Sequence, residues 1–179
     1  MKLVASNHPI LKMPVRQVAQ HELPGVAGLW AEAMQLIRFK QAYGMASNQV
    51  GDSRAWFVFN NTLAINPEIL MRSEETAEYT EGCLSYPKQS ASIRRPVAIT
   101  VRYINQKLET VEEILEDKLD ANGKPVASNM SARVFQHEFD HLQGCCLVGV
   151  ISAENMAKAQ MTLQQAITTP TAYVMKEQA

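Results

Sequence analysis

Cysteine is scarce in this sequence: three thiols occur, at Cys83, Cys145 and Cys146, and an odd number cannot pair completely. They show none of the spacing of a small secreted disulfide framework, so free thiols in a reducing compartment are expected. An excess of either charge is also missing. Lys and Arg number 17 against 18 Asp and Glu, a formal net charge of −1. Without a cationic stripe, neither nucleic acid nor an anionic membrane is expected as a partner. No apolar run approaches the roughly 20 residues of a membrane span, and the stretch Met1 to Pro9 lacks the apolar segment of a signal peptide. The cytosol is therefore the expected compartment, or an organelle if a targeting segment has already been lost. Internal repeats and low-complexity segments are absent as well.

What is present is an ordinary globular composition, 46% hydrophobic and 20% charged over 179 residues. This suits a single domain over 1–179, with 168–179 a loosely held tail beyond Thr168-Thr169-Pro170. Apolar residues at helical spacing from Val26 to Tyr43 predict an amphipathic N-terminal helix over Pro24 to Ala42. The small residues of Gly44 to Gly51 predict a loop or extended segment. Trp56–Phe59 and Leu63–Ile65 flank Asn60-Asn61-Thr62 and predict a hairpin, with Asn66-Pro67 closing its second strand. Val97 to Ile104 reads as a strand on which Thr110 to Leu115 pairs back, and the acidic run Glu112 to Asp120 reads as solvated surface. After turn chemistry at Asp120 to Pro125, Ser128 or Asn129 is expected to cap a helix that runs to about Gln143 and ends at Gly144. A last helix is expected from Ser152 to about Ile167.

Chemistry concentrates in His137-Glu138-Phe139-Asp140-His141. Two imidazoles four residues apart on a helix project from one face and can close on a single metal, with Glu138 beside them. Met130 and Val134 continue the same stripe, so the histidines belong to an apolar face where unpaired rings would cost free energy. A catalytic metal usually has three protein ligands. The third histidine of one class of zinc endopeptidases is replaced here by Leu147, and the downstream glutamate of another could only be Glu154 or Glu177, both poorly placed. Cys83, in Glu81-Gly82-Cys83-Leu84-Ser85, remains; a thiolate with two imidazoles suits Fe(II), Zn(II), Ni(II) or Co(II).

With Gly44-Met45-Ala46-Ser47-Asn48-Gln49, Glu81-Gly82-Cys83-Leu84-Ser85 and Gln136-His137-Glu138-Phe139-Asp140-His141 in that order, the chain resembles the peptide deformylases over roughly residues 3 to 151. Leu63 to Ile69 and Ile93-Arg94-Arg95 add to the likeness. Two small departures, Ala42 where the family has glycine and Ser47 where it has alanine, bear on pocket detail. Lys118 to Ala127 reads as an extra piece of unassigned purpose.

The resemblance implies an α+β fold in which antiparallel strands surround a central metal-binding helix, with N- and C-terminal helices; periodicity alone supports only mixed α and β. It implies a hydrolase that removes the N-formyl group from the starting methionine of nascent peptides, which arise at the ribosome, and releases formate. One divalent metal, Fe(II) natively and replaceable by Zn(II), Ni(II) or Co(II), would be held by Cys83, His137 and His141. Glu138 would be the general base, and the Gln49 amide and Leu84 N–H would donate to the formyl oxygen. Gly44 would bind the peptide backbone as an added strand, and Tyr43, Met130 and Val134 are candidates for the methionine slot. The oligomeric state stays open between monomer and weak dimer. The rival readings are a metallo-endopeptidase and a catalytically silent relative that keeps the fold.

Overall fold

The computed structural model describes residues 1–145 of the chain. The expected last helix, the tail 168–179, Cys146, Leu147, Glu154 and Glu177 lie outside the described residues.

The N-terminal helical region forms two pieces, α1 (Leu23–Ala27) and α2 (Trp30–Lys40), where one helix over Pro24 to Ala42 was expected. The interruption is a tight turn at Gly28 and Leu29, whose amides bond to the Pro24 and Val26 carbonyls. Ala33, Met34 and Ile37 bury the inner face of α2, and Gln41 ends it in the left-handed conformation, φ 53°.

Eight strands follow: β1 (Gly44–Ala46), β2 (Trp56–Phe59), β3 (Thr62–Arg72), β4 (Thr76–Gly82), β5 (Ser90–Pro96), β6 (Ala98–Ile104), β7 (Thr110–Leu119) and β8 (Pro125–Met130). Six of them form a sheet in the order β1-β2-β3-β6-β7-β8, while β4 and β5 form a separate two-stranded one. Every named strand pair is antiparallel. With α1, α2 and the helix α3 (Ser131–Leu142), the architecture is α+β.

The hairpin expected around Asn60-Asn61 is β2–β3, with both asparagines at positive φ, 44° and 68°, inside the pair Phe59–Thr62. Asparagine tolerates this region, which a two-residue hairpin turn requires. Asn66-Pro67, expected to end the second strand, instead lies within β3, which continues to Arg72. A register shift between Ile65 and Glu68, with Asn66 at φ 51°, absorbs the residue that cannot donate.

The expected helix from Ser128 or Asn129 begins later, because residues 128–130 belong to β8. No side chain at the N-cap position, Met130, satisfies the first turn. The Arg133 amide donates to Oδ1 of Asp117 at 3.0 Å. A carboxylate from β7 thus takes the role that local sequence was expected to fill, favoured also by the positive end of the helix dipole. Asp117 is accordingly buried, at odds with a solvated acidic run, whereas Glu112 and Glu116 beside it are exposed. At its other end α3 stops as expected at Gly144, at φ 74°, and its amide bonds to the His141 carbonyl.

Nine of the twelve residues of α3 are buried. One face carries Ala132, Phe135, Phe139 and Leu142. Phe135 packs edge-on against Phe57 and Phe59 of β2, at centroid distances of 4.8 and 5.0 Å. The rest of the core lies between β1–β3 and α1–α2 around Trp56, Leu63 and Ile65. The sheet therefore fixes one side of α3 and leaves Val134, His137, Glu138 and His141 on another. Among the described residues no helix is long and apolar enough to cross a membrane.

Candidate active site

Three parts of the chain converge on this second face of α3: β1 with the 3-10 turn that follows it (Ser47–Val50), the loop after β4, and α3 itself. Cys83 Sγ, His137 and His141 offer ligand atoms that all lie within 4.8 Å of one another. Cys83 Sγ is 3.2 Å from Nε2 of His141. The two rings stand with centroids 5.2 Å apart, as the one-turn spacing of the histidines requires.

Behind the rings the contacts are ionic. Nδ1 of His137 meets Oε2 of Glu81 at 2.9 Å, which leaves its other ring nitrogen for the cluster. A carboxylate on the far nitrogen is the usual means of orienting a ligating imidazole. Glu81 is itself held by Arg95 through two bonds of 2.7 and 3.0 Å and by Arg133 at 2.6 Å. Arg95 also donates to Asp140 at 2.7 Å, so one guanidinium joins β4, β5 and α3. Burial alone would raise the Glu81 carboxyl, but its bonds to His137 and Arg95 outweigh burial and hold it far below the usual range. Burial likewise works against a charge on His137, yet contact with Cys83 and Glu81 raises it to about 10. Burial together with the charge on His137 keeps His141 well below its ordinary value.

Glu138 is buried beside the cluster, and burial pushes its carboxyl up to about 7. Its Oε2 finds no hydrogen-bond partner among the described residues. Its other side is packed against Gly44: a Cβ there would lie 2.5 Å from Oε1 and 2.8 Å from Cγ of Glu138. Glycine at 44 thus makes room for the carboxylate. Gly44→Ala should displace Glu138 by a fraction of an ångström or more and lower any rate that depends on this carboxylate by about 10²-fold, the order expected when a reacting group is misplaced by 1 Å. A kcat series with thermal melts of both proteins checks this; full activity at an unchanged melting temperature would refute it.

Gln49 is buried in the 3-10 turn, and its Oε1 accepts from the Ala46 amide at 2.9 Å. That contact fixes which end of the amide faces the site. Nε2 lies 3.5 Å from Cys83 Sγ and 3.0 Å from Ser85 Oγ. Asn48 donates to the His141 carbonyl, so the turn is tied directly to α3.

A cavity of about 460 Å³ opens onto these groups, lined by Cys83, His137, Glu138, Gln49, Leu84 and Gly44 among others. Met130, Val134 and Tyr43 also line it. Met130 and Val134 are 8% and 7% exposed, while Tyr43 is 57% exposed and belongs to the rim. His141 does not line the cavity and is 1% exposed behind it. Cys145, the other described thiol, sits beyond the end of α3 with Sγ near the Gln143 carbonyl.

Sequence reasoning assigned no role to Glu81, Arg95, Arg133 or Asp140. The signal available for Glu81 was chemical: a ligating histidine needs an acceptor for its second nitrogen, and a carboxylate two residues from Cys83 was at hand. For the arginines no local pattern exists, because their partners come from other strands.

One thiol, two imidazoles and an orphaned buried carboxylate oxygen beside them fit a divalent cation of borderline softness. Comparison with known proteins points to one family. The family model described as Polypeptide deformylase matches residues 1–156. A peptide deformylase from Thermotoga petrophila is 46% identical over 113 residues, 61% of this chain; the match spans 62% of that relative's own length. One from Pseudothermotoga lettingae is 40% identical over 153 residues, covering 84% of this chain and 82% of the relative. Among solved structures, peptide deformylase from Thermotoga maritima superposes with a TM-score of 0.71 at 34% identity, over 84% of this chain and 97% of that one. An actinonin-bound deformylase from Acinetobacter baumannii gives 0.72 at 28% identity, over 84% and 97%.

Proposed function

The chain belongs to the polypeptide deformylase family, and from that membership we propose that it hydrolyses the N-formyl group of peptides beginning with formylmethionine, releasing formate. The observation that carries this reading is the cluster of Cys83, His137 and His141 beside a cavity that Cys83, His137, Glu138 and Gln49 line. We read α3 as the central metal-binding helix and the whole chain as one catalytic domain.

Cys83 Sγ and one ring nitrogen each of His137 and His141 would hold a divalent ion, Fe(II) natively, with Zn(II), Ni(II) or Co(II) able to replace it. When bound, such an ion acidifies water and polarises a carbonyl oxygen. Glu138 takes the proton of the attacking water at its carboxylate and passes it to the departing amine as the formyl C–N bond breaks. Its buried position suits the task, because a carboxyl raised toward neutrality can both accept and release a proton near neutral pH.

Negative charge gathers on the formyl oxygen during attack. Gln49 Nε2, aimed by the Ala46 contact, donates to it together with the Leu84 N–H, and such donors act most strongly where water is excluded. Gly44, at the sheet edge, would pair with the peptide backbone as an added strand. Met130 and Val134 would form the wall of the methionine slot, with Tyr43 covering it from the rim.

Gln49→Ala should lower kcat by about 10²- to 10³-fold and change KM much less, as expected for a donor that acts on transition-state charge. A rise in KM with kcat intact would make Gln49 a substrate-binding residue instead. The reading as a whole is tested by anaerobic purification with metal analysis, followed by an assay of formate release from a formyl-methionyl peptide. Formate should appear while internal peptide bonds stay intact; cleavage of internal bonds would favour an endopeptidase, and loss of both activities in the metal-loaded protein a silent relative.

A further inference from the structure

The wall of the cavity has an uneven distribution of charge. Among the described residues its carboxylates are Glu81 and Glu138, 6% and 4% exposed and turned to the inner site. Its remaining ionisable groups in contact with solvent include two lysines, Lys40 and Lys88, both exposed. Neither forms an ion pair among the described residues; the Lys40 ammonium lies 5.5 Å from the centre of the Phe39 ring. This imbalance is local, because the chain as a whole carries a formal charge of −1.

The two lysines come from different sides. Lys40 is the last residue of α2, three positions before Tyr43 on the rim. Lys88 is the penultimate residue of the loop 83–89, which is folded by successive bonds from the Tyr86 amide to the Cys83 carbonyl and from the Gln89 amide to the Tyr86 carbonyl. Its backbone is left-handed, φ 74°, a conformation that glycine adopts at less cost. A long cationic side chain thus stands where the backbone alone would favour having none.

If the first residue of a formylated peptide reaches the inner site, the residues that follow it run outward along the lining that includes Lys40 and Lys88. We propose that these two lysines are specificity determinants that favour formylmethionyl peptides with acidic residues at the second and third positions and disfavour basic ones. The proposal rests on the deformylase reading for the direction in which the peptide lies. Opposite unit charges in a solvent-exposed rim change affinity only modestly, so each lysine should contribute about two- to fivefold. Acidic and basic peptides should then differ by about tenfold or more.

The test uses three amidated peptides, formyl-Met-Asp-Asp, formyl-Met-Ala-Ala and formyl-Met-Lys-Lys, with kcat/KM for formate release measured at low salt and at 1 M salt. Rates should fall in that order at low salt and converge at 1 M, where the Debye length is about 3 Å. In the double variant Lys40→Gln, Lys88→Gln the ratio between the acidic and basic peptides should approach one. Equal rates for all three on the unaltered protein, or a ratio that the double variant leaves in place, would overturn the proposal. Dissociation constants of the same peptides without the formyl group, measured on the metal-loaded protein, separate it from the reading on which it rests. Formate from none of the peptides would sink the deformylase reading, and the order of the dissociation constants would then decide the charge preference by itself.

Discussion

Cys83→Ala is expected to leave a two-histidine site that retains metal poorly and releases little formate. Sγ of Cys83 is within 3.2 Å of His141 Nε2 and 3.5 Å of the Gln49 amide, so no other described thiol could take its place. Loss of an outer hydrogen-bond partner typically costs about 10- to 100-fold in metal affinity. Loss of a ligand should cost more. The Cys145→Ala and Cys146→Ala variants serve as controls and should keep both metal and activity within a modest factor. Metal analysis of the three proteins after identical dialysis, with formate release measured in parallel, gives the result directly. Metal kept by the Cys83 variant but lost from either control would remove the ligand assignment and the functional reading built on it.

Glu138→Gln should keep the metal and lose about 10²- to 10⁴-fold in rate, the usual weight of a positioned general base. The amide is nearly isosteric, which matters here because Glu138 is packed against Gly44 without space for a larger or displaced group. It also removes a carboxyl that burial pushes up to about 7, so the variant should fold at least as stably as the parent. Retained metal with a collapsed kcat identifies proton transfer; full activity would take Glu138 out of the mechanism. Comparison with Gly44→Ala is informative, since that variant keeps the carboxylate and moves it.

The candidate site was more legible in the sequence than the frame that holds it. His137, Glu138 and His141 could be read together because a helix converts a four-residue spacing into a shared face. Gln49, Leu84 and Gly44 came from the likeness to a family, since nothing in local spacing connects residue 49 to residue 137. The hairpin at Asn60-Asn61 was visible from turn chemistry. The continuation of β3 past Pro67 was not, because a bulge is set by the neighbouring strand. The start of α3 was misread for a similar reason: Ser128 and Asn129 are good local caps, but β7 supplies Asp117 and β8 claims the two residues for pairing. The roles of Arg95 and Arg133 had no local signal, because buried charges are selected by partners that only the fold brings together, whereas Glu81 could have been found from the need of His137 for an acceptor.

β4 and β5 stand apart from the larger sheet. Among the described residues no ladder of backbone bonds joins the pair to β1-β2-β3-β6-β7-β8. Its anchorage to α3 runs instead through side chains, Arg95 to Asp140 and Arg133 to Glu81, Ala77 and Ile93. Local opening of this hairpin would break ionic contacts but spare the six-stranded ladder, so its free energy can lie below that of global unfolding. Cys83 immediately follows β4, whereas both histidines ride on α3. The thiol and the two histidines are thus carried by elements that side chains, and not a shared sheet, hold in register.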